Sequence, residues 1–465
     1  MTERLEAATL ARAAPSVRRP EYDFRRLRPG IVHFGIGAFH RAHQAVFTED
    51  AILATGGDWG IVGVALRRPN VPDALGPQDG LYTVESLAKT PQYRVVGVIS
   101  RALTAMAQPE QVLAALAAPE THVISLTVTE KGYCLDAHGR LDEAHPDIVR
   151  DLAAPDKPCS PIGWLARGLA ERRRRGSGPV TVISCDNLLG NGRKLDAAVQ
   201  VLATRAEGAL AQWIERNVAF PRTVVDCIVP ATTGVSRERV AVALGLIDEA
   251  CVSREPFAQW VIEDRFAGPR PAWERGSAEL VADVEAHERL KLHVLNACHS
   301  TLAYLGLGRG HGLVREAIAD PELSRFVETL VAEEIAPALP DLPVADYWRK
   351  IRLRFANPMV DHRLAQIGED GSTKLAQRIF TLLIANANAG RPTRRLTSIL
   401  RAWLELAVAG IVTDPQKPRL VRRMAENHGL AAALDDAMLF PAPFRTDPAL
   451  RAALLGEPAD SRAQR

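Results

Sequence analysis

The sequence predicts an α/β fold class: a mostly parallel sheet covered by helices, followed by an all-α C-terminal domain. Three observations predict it. Short apolar, β-branched runs alternate with helical segments through the first part of the chain. A glycine pair directly follows the first of those runs. After about residue 278 the β-branched clusters give way to helical periodicity.

Taken in order, residues 1–28 are polar and Arg-rich and read as an extended arm with one short helix. Ile31–Phe34 reads as a buried strand, Gly35-Ile36-Gly37 as a tight turn, and the chain from about Phe39 as a helix. Trp59–Leu66, Tyr93–Ile99, Thr121–Val128, Val180–Ser184 and Thr223–Val229 read as further strands, with helical stretches such as Gly163–Arg175 between them. Segments 279–306, 322–338, 374–388 and 395–410 have helical periodicity. This places a domain boundary near 280–288, giving domains 1–283 and 284–465. The run Arg172–Arg175 reads as a solvated helix end whose charges complement the helix dipole, with a basic patch as the alternative.

Composition bounds the function. The chain has 465 residues, with 57 Lys plus Arg against 55 Asp plus Glu, a formal charge of +2. That balance leaves no electrostatic footprint for nucleic acid, and 5% aromatics weaken any base-stacking surface. With 47% apolar and 24% charged residues the chain can bury a sizeable core. The first twenty residues carry Glu3 and Glu6 and no apolar run, so no signal or transit peptide is expected. No run of about 18 apolar residues suggests a membrane span. Cys134, Cys159, Cys185, Cys227, Cys251 and Cys298 are scattered, without disulfide or zinc spacing. The expectation is a cytoplasmic protein without metal, acting on a small molecule as a monomer or small homo-oligomer.

A dinucleotide fold needs glycines directly after its first strand, one for the tight turn and one so that the backbone can approach the pyrophosphate. Gly35-Ile36-Gly37-Ala38-Phe39-His40 supplies G-x-G, with His40 in place of a third glycine. A purely structural turn is the competing reading. Arg41 is placed to contact a phosphate, or to pair with Glu49 or Asp50. At the end of the second strand, where a carboxylate holds the ribose hydroxyls in NAD-specific sites, the sequence has Leu66-Arg67-Arg68-Pro69-Asn70. Arg67 and Arg68 would tolerate a 2′-phosphate, so NAD and NADP both stay open here.

The richest segment is His287–His299. Lys291, Asn296 and His299 are offset by 0, 5 and 8 residues. At about 100° per residue they fall near 0°, 140° and 80° on a helical wheel, so they share one face. A polar stripe facing solvent is the plain alternative. A lysine, an amide and an imidazole together suit alcohol–carbonyl interconversion. The lysine serves as base if burial or neighbouring cations lower its pKa from about 10.4. The amide binds the developing oxyanion and the imidazole orients the substrate. None of the six tyrosines has Lys four residues on, so the Tyr-x-x-x-Lys arrangement is missing.

These residues resemble the mannitol dehydrogenase family, the long-chain polyol-specific dehydrogenases, from about Gly30 to Arg378. The motifs are GIGAFHRAHQ, SLTVTEKGY at 125–133, SCDNLLGNG at 184–192, VVDCIVPATT at 224–233, EPFAQWVIEDRF at 255–266, KLHVLNACHSTLAYLG at 291–306 and NPMVDHRLAQIGEDGSTKLAQR at 357–378. The last of these, with LRRPNVPDALGPQDGLYTVES at 66–86, leans toward the fructuronate reductase (mannonate oxidoreductase) branch; mannitol 2-dehydrogenase is the neighbouring possibility.

The resemblance implies a Rossmann-type N-terminal domain, an all-helical C-terminal domain and an active site in a cleft. It implies Lys291 as general base, Asn187 and Asn296 as oxyanion-hole amides, His299 as substrate-orienting histidine, Glu288 as proton relay and Asp226 as a substrate-hydroxyl partner. Lys374 falls near a basic substrate-binding position, and Lys374, Arg378 and His362 are candidate cations for a hexuronate carboxylate. Gly35, Ile36, Gly37, Phe39, His40, Arg41, Leu66, Arg67, Glu130 and Asn187 form the expected cofactor side; for Glu130 plain loop structure is an equal reading. Cys227 stands in the usual arginine place, and Asn70 or Pro69 where some members carry an acid favouring NAD. Most relatives in the branch use NAD, so NAD is the expected cofactor. A non-catalytic NAD-binding sensor would not need Lys291, Asn187, Asn296 and His299 together. A β-hydroxyacid dehydrogenase lacks support from the Ser-Cys-Asp-Asn segment.

Overall fold

The computed structural model describes residues 3–136, 138–426 and 429–455. The chain forms two compact units, Met1–Val284 and Glu285–Arg465.

The first unit is built on six parallel strands: β1 (Pro29–Phe34), β2 (Gly60–Ala65), β3 (Ile99–Thr104), β4 (Val123–Leu126), β5 (Val180–Ser184) and β6 (Val218–Ala219). Their spatial order is β3-β2-β1-β4-β5-β6. Building therefore runs outward from β1 to β3, then restarts at β4 on the other side of β1. In such a sheet ligands bind outside the carboxyl ends of the strands where the order reverses, here between β1 and β4. Val32, Phe34, Val62, Val64, Ile124, Leu126, Val180 and Val182 are fully buried. That is why these strands read as continuous apolar runs: both faces are covered.

Two expected strands lie elsewhere. The run Tyr93–Ile99 divides at Gly97: Gln92–Val96 pairs antiparallel with Tyr82–Ser86, and the parallel strand is Ile99–Thr104. The run Thr223–Val229 yields a strand only over Thr223–Asp226, which pairs antiparallel with Gln259–Glu263; the short Val218–Ala219 closes the parallel sheet instead. Apolar content specifies a strand without specifying its partner. The helix expected from Phe39 is two helices, α1 (Ala38–Ala42) and α2 (Gln44–Thr55), broken at His43 with φ −125° and ψ −90°. Helix α3 (Pro161–Arg175) carries the arginine run. Its Arg172 is fully buried and donates to the carbonyls of Leu116 and Ala118 at 3.0 and 2.9 Å, so the run is only partly a solvated helix end.

The second unit is helical. It starts at α4 (Glu285–Leu290), because residues 279–281 form a short strand of the first unit rather than the start of the helix. The chain then makes a π-helical turn over Lys291–Asn296 and resumes as α5 (Ala297–Gly308). Helices Val314–Ala319, Pro321–Leu330 and Arg394–Ala409 pack around α5. Leu302, Tyr304, Leu330, Leu400 and Trp403 are buried in this core. Among the described residues no helix is long and apolar enough to cross a membrane.

Candidate active site

The glycine turn sits at the switch point. Gly35 has φ +92°, and a Cβ there would lie 2.1 Å from the Thr127 carbonyl oxygen on the β4 side. Only glycine fits. At Gly37 a Cβ would meet nothing nearer than the Gly35 oxygen at 3.8 Å. The second glycine thus leaves backbone approachable where a pyrophosphate would lie, which fits a dinucleotide. Ile36 is buried and packs on Gly63 of β2.

The β1–β4 seam is fastened by a residue the sequence reading missed. His33 Nδ1 is 2.8 Å from Ser125 Oγ and its Nε2 is 2.9 Å from Thr127 Oγ1. Burial lowers its pKa to about 3, so it is a neutral hydrogen-bonding strut. His40 stacks on it, with centroids 3.4 Å apart, and is itself buried. The His40 ring packs in the protein interior against His33. The buried Arg41 guanidinium donates to the Ala250 carbonyl and lies over the Tyr82 ring, while Glu49 and Asp50 pair with Arg94. Phe39 stacks on His43 at 5.0 Å.

Beyond β4, Thr129 has φ +67°, a strained conformation for a β-branched residue. Asp186, just past β5, holds it there. Its carboxylate accepts from the Val128 and Thr129 amides at 2.9 and 3.0 Å and from the Tyr133 hydroxyl at 2.8 Å. This clasp fixes the exposed Glu130 turn and the exposed Asn187 that follows Asp186. The SCDN motif signalled its place but not its role. Asp226 is buried at the end of its strand, opposite Gln259.

Strand β2 ends at Ala65, followed by half-buried Leu66 and exposed Arg67, with no carboxylate in the adjoining Arg68-Pro69-Asn70. Arg67 donates to Asp147 at 2.5 Å. Cys134, His145 and Asp147 bring metal-type donor atoms within 4.8 Å of one another. However, Arg67 and Arg150 occupy the two Asp147 oxygens, and His145 Nδ1 accepts the Asp147 amide. The group is therefore a hydrogen-bonded cluster. Cys185 and Cys298 are buried thiols whose pKa burial raises.

In the second unit Lys291 opens the π turn, Asn296 closes it, and His299 lies on the first turn of α5. With i→i+5 bonding, residues five apart lie closer to one face than the α-helical wheel places them. Lys291 and Asn296 are half-buried and His299 is buried, which removes the solvent-facing-stripe reading. Burial holds His299 well below the ordinary histidine pKa, and the nearby His362, Arg354, Arg378 and Lys291 add to that. The His299 ring packs on Phe355 at 4.3 Å and edge-on to His362 at 5.1 Å. His299 Nε2 and His362 Nδ1 make no hydrogen bond among the described residues. Arg378 donates to Ser300 Oγ at 3.0 Å. Lys374 donates to the Ile367 carbonyl at 3.3 Å, and Arg354 joins Arg378 among the cations bearing on His299. Sequence reading missed Arg354 because it sits in WRKIRLRF, which looks like an ordinary amphipathic helix. Glu288 is half-buried, one turn before Lys291.

The His362 pKa is lowered to about 4, first by burial and then by Arg354. A depressed histidine pKa contributes stability above the unfolded value of about 6.5, and that contribution is lost as pH falls toward 4. Thermal melts should show the midpoint falling between pH 6.5 and 4, with a shallower fall in His362→Gln. Equal slopes would contradict the neutral-imidazole assignment.

A parallel sheet in this order with a glycine turn at its switch point, joined to a helical unit bearing a lysine, an amide and a buried histidine along one helical run, fits the class of nucleotide-dependent dehydrogenases. The comparisons narrow the class. Residues 29–275 match the mannitol dehydrogenase Rossmann domain and residues 283–442 the mannitol dehydrogenase C-terminal domain. The chain is 41% identical over 397 residues to D-mannonate oxidoreductase of Escherichia coli, covering 83% of this chain and 82% of the relative. It is 39% identical over 414 residues to mannitol 2-dehydrogenase of Cereibacter sphaeroides, covering 87% of each. Its fold superposes with a TM-score of 0.87 and 32% identity on Pseudomonas fluorescens mannitol 2-dehydrogenase in ternary complex with NAD and D-mannitol, over 97% of this chain and 96% of that one. The chain belongs to the mannitol dehydrogenase family and is an oxidoreductase acting on CH–OH groups.

Proposed function

We propose that this protein is an NAD-dependent oxidoreductase interconverting a secondary alcohol of an aldonate with its keto sugar acid, of the fructuronate reductase (D-mannonate oxidoreductase) type. The observation that carries the acid preference is the group around His299. Arg354 and Arg378 bear on His299, and Arg354 on His362, two neutral imidazoles each with a ring nitrogen lacking a hydrogen bond among the described residues. Such a group suits an anion flanked by hydroxyls. With a net charge of only +2, attraction for a sugar acid must be local.

Bound NAD, near Gly35–Gly37 and the end of β2, supplies the hydride acceptor in one direction and the donor in the other. The protein's own residues manage the proton and the substrate. Lys291 takes the hydroxyl proton onto Nζ in oxidation and returns it to the carbonyl oxygen in reduction. Glu288 passes that proton to and from solvent. Asn296 and Asn187 donate amide hydrogens to the oxygen as it gains charge. His299, neutral, hydrogen-bonds a substrate hydroxyl through Nε2, and Asp226 accepts from another.

The test is a panel of fructuronate, tagaturonate, mannitol, sorbitol and arabinitol, with NAD(H) and NADP(H), on wild type and Arg354→Gln. Hydrogen bonds to charged groups are worth about 1.5–3 kcal/mol, so Arg354→Gln should raise KM for fructuronate by about 10- to 100-fold. The KM for mannitol should move far less. Equal shifts would instead favour the polyol reading, mannitol 2-dehydrogenase, which the 0.87 superposition on a mannitol complex supports.

A further inference from the structure

The end of β2 poses a puzzle. In this fold that position reads the ribose 2′ substituent: a carboxylate there selects NAD, and a nearby arginine accommodates the 2′-phosphate of NADP. The residues that follow β2 are Leu66, Arg67 and Arg68, two of them cations and none an acid. Read along the chain, this is an NADP-type end.

In space a carboxylate is present, brought from elsewhere. Asp147 lies in the first turn of helix Pro146–Ala153, and its Oδ2 is 2.5 Å from an Arg67 guanidinium nitrogen. The Asp147 side chain is 12% exposed, so it is set in the protein, whereas the Arg67 side chain is 69% exposed and swings on a long stem. Arg150, one turn on in the same helix, holds Oδ1, and the Asp147 amide donates to His145 Nδ1 at 3.2 Å. The acid is thus fixed and the arginine comes to it.

We infer that Asp147 is a specificity-determining residue for the cofactor: it holds Arg67 in an ion pair and so prevents the guanidinium from serving a 2′-phosphate. A 2′-phosphate entering beside Arg67 must either displace Asp147 or lie near its negative charge, and both disfavour NADP. A ribose with a free 2′-hydroxyl meets neither obstacle. Asp147 therefore disfavours a 2′-phosphate from 80 residues away in sequence, without itself holding the ribose hydroxyls as an acid at the end of β2 would. This inference rests on the nucleotide-binding reading above and adds which nucleotide the site prefers and why.

Direct binding tests it without turnover. NAD+ and NADP+ are titrated by calorimetry into wild type, Asp147→Asn, Arg67→Ala and the double variant. The wild type should bind NAD+ more tightly. In Asp147→Asn the ratio Kd(NADP+)/Kd(NAD+) should fall about tenfold, because Arg67 is released and a charge is removed. In the double variant the ratio should return most of the way to wild type, since the released arginine is gone. Arg67→Ala alters an exposed side chain and keeps the fold testable even if Asp147→Asn does not. Its ratio should stay within about twofold of wild type, because Arg67 is already committed to Asp147. A large rise in that ratio would mean that Arg67 reaches the 2′-phosphate in spite of Asp147, and the proposal would be wrong. An unchanged ratio in Asp147→Asn, or a gain that persists in the double variant, overturns it as well. Binding of neither nucleotide overturns this proposal together with the reading it rests on. Binding of both with the ratio unmoved by Asp147→Asn overturns this one alone.

Discussion

Lys291→Ala is expected to lower turnover by about 100- to 10,000-fold, the usual worth of a positioned general base, while NADH binding measured by fluorescence titration stays near wild type. The position of the lysine suits it to that role. It opens the π turn, is half-buried, and is close enough to His299 for its charge to bear on that imidazole, as do the charges of Arg354 and Arg378. A lysine acts as a base only when neutral. Lys291→Arg keeps the positive charge and much of the volume but supplies a guanidinium that does not give up its proton, so it should be as inactive as the alanine variant. Added methylamine should partly restore Lys291→Ala and not Lys291→Arg. Turnover within a few-fold of wild type in both variants would remove Lys291 as the base.

The same helix shows how far the chain could be read before folding. Lys291, Asn296 and His299 stood out in sequence because their offsets of 0, 5 and 8 put a lysine, an amide and an imidazole on one face of a helix with Leu292, Val294 and Leu295 between them. The π turn did not, because no residue in Lys291–Asn296 announces i→i+5 bonding, and the wheel drawn at α-helical pitch spreads Lys291 and Asn296 too far apart. Gly35 and Gly37 were legible because backbone demands single out glycine. The direction of Arg41 was not, because a sequence shows an arginine's charge and not where it points; here the guanidinium donates to the Ala250 carbonyl. His33, Asp186, Arg354 and Asp147 share one reason for being missed. Each acts on residues far along the chain: Ser125 and Thr127, Val128 through Tyr133, His299, and Arg67. Strand runs were found with boundaries accurate to a few residues, yet Tyr93–Ile99 and Thr223–Val229 went to the wrong sheet, since pairing partners are a tertiary choice.

Gly35→Ala and Gly37→Ala should separate the two duties of the glycine turn. At Gly35, φ +92° costs a non-glycine residue about 1–3 kcal/mol by itself. The added Cβ would also lie 2.1 Å from the Thr127 carbonyl oxygen, so something must shift. The neighbourhood has little freedom to do so. The Gly35 amide donates to the Val64 carbonyl at 2.9 Å, the Gly35 carbonyl accepts from Thr127 Oγ1 at 2.8 Å, and the Thr127 amide donates to the Phe34 carbonyl at 2.8 Å. Moving either backbone breaks the seam between β1 and its neighbours. The expected loss is at least about 3 kcal/mol out of a total of about 5–15 kcal/mol, read as a lower denaturation midpoint and reduced soluble yield. Gly37→Ala is the contrast. With φ −73° and no atom nearer than 3.8 Å, the new methyl fits the fold and the midpoint should hold. That methyl occupies the approach a pyrophosphate needs, so NAD+ affinity should fall by about tenfold or more. If Gly37→Ala binds NAD+ like wild type, the turn is structural only; if Gly35→Ala melts like wild type, the seam yields more easily than its hydrogen bonds imply.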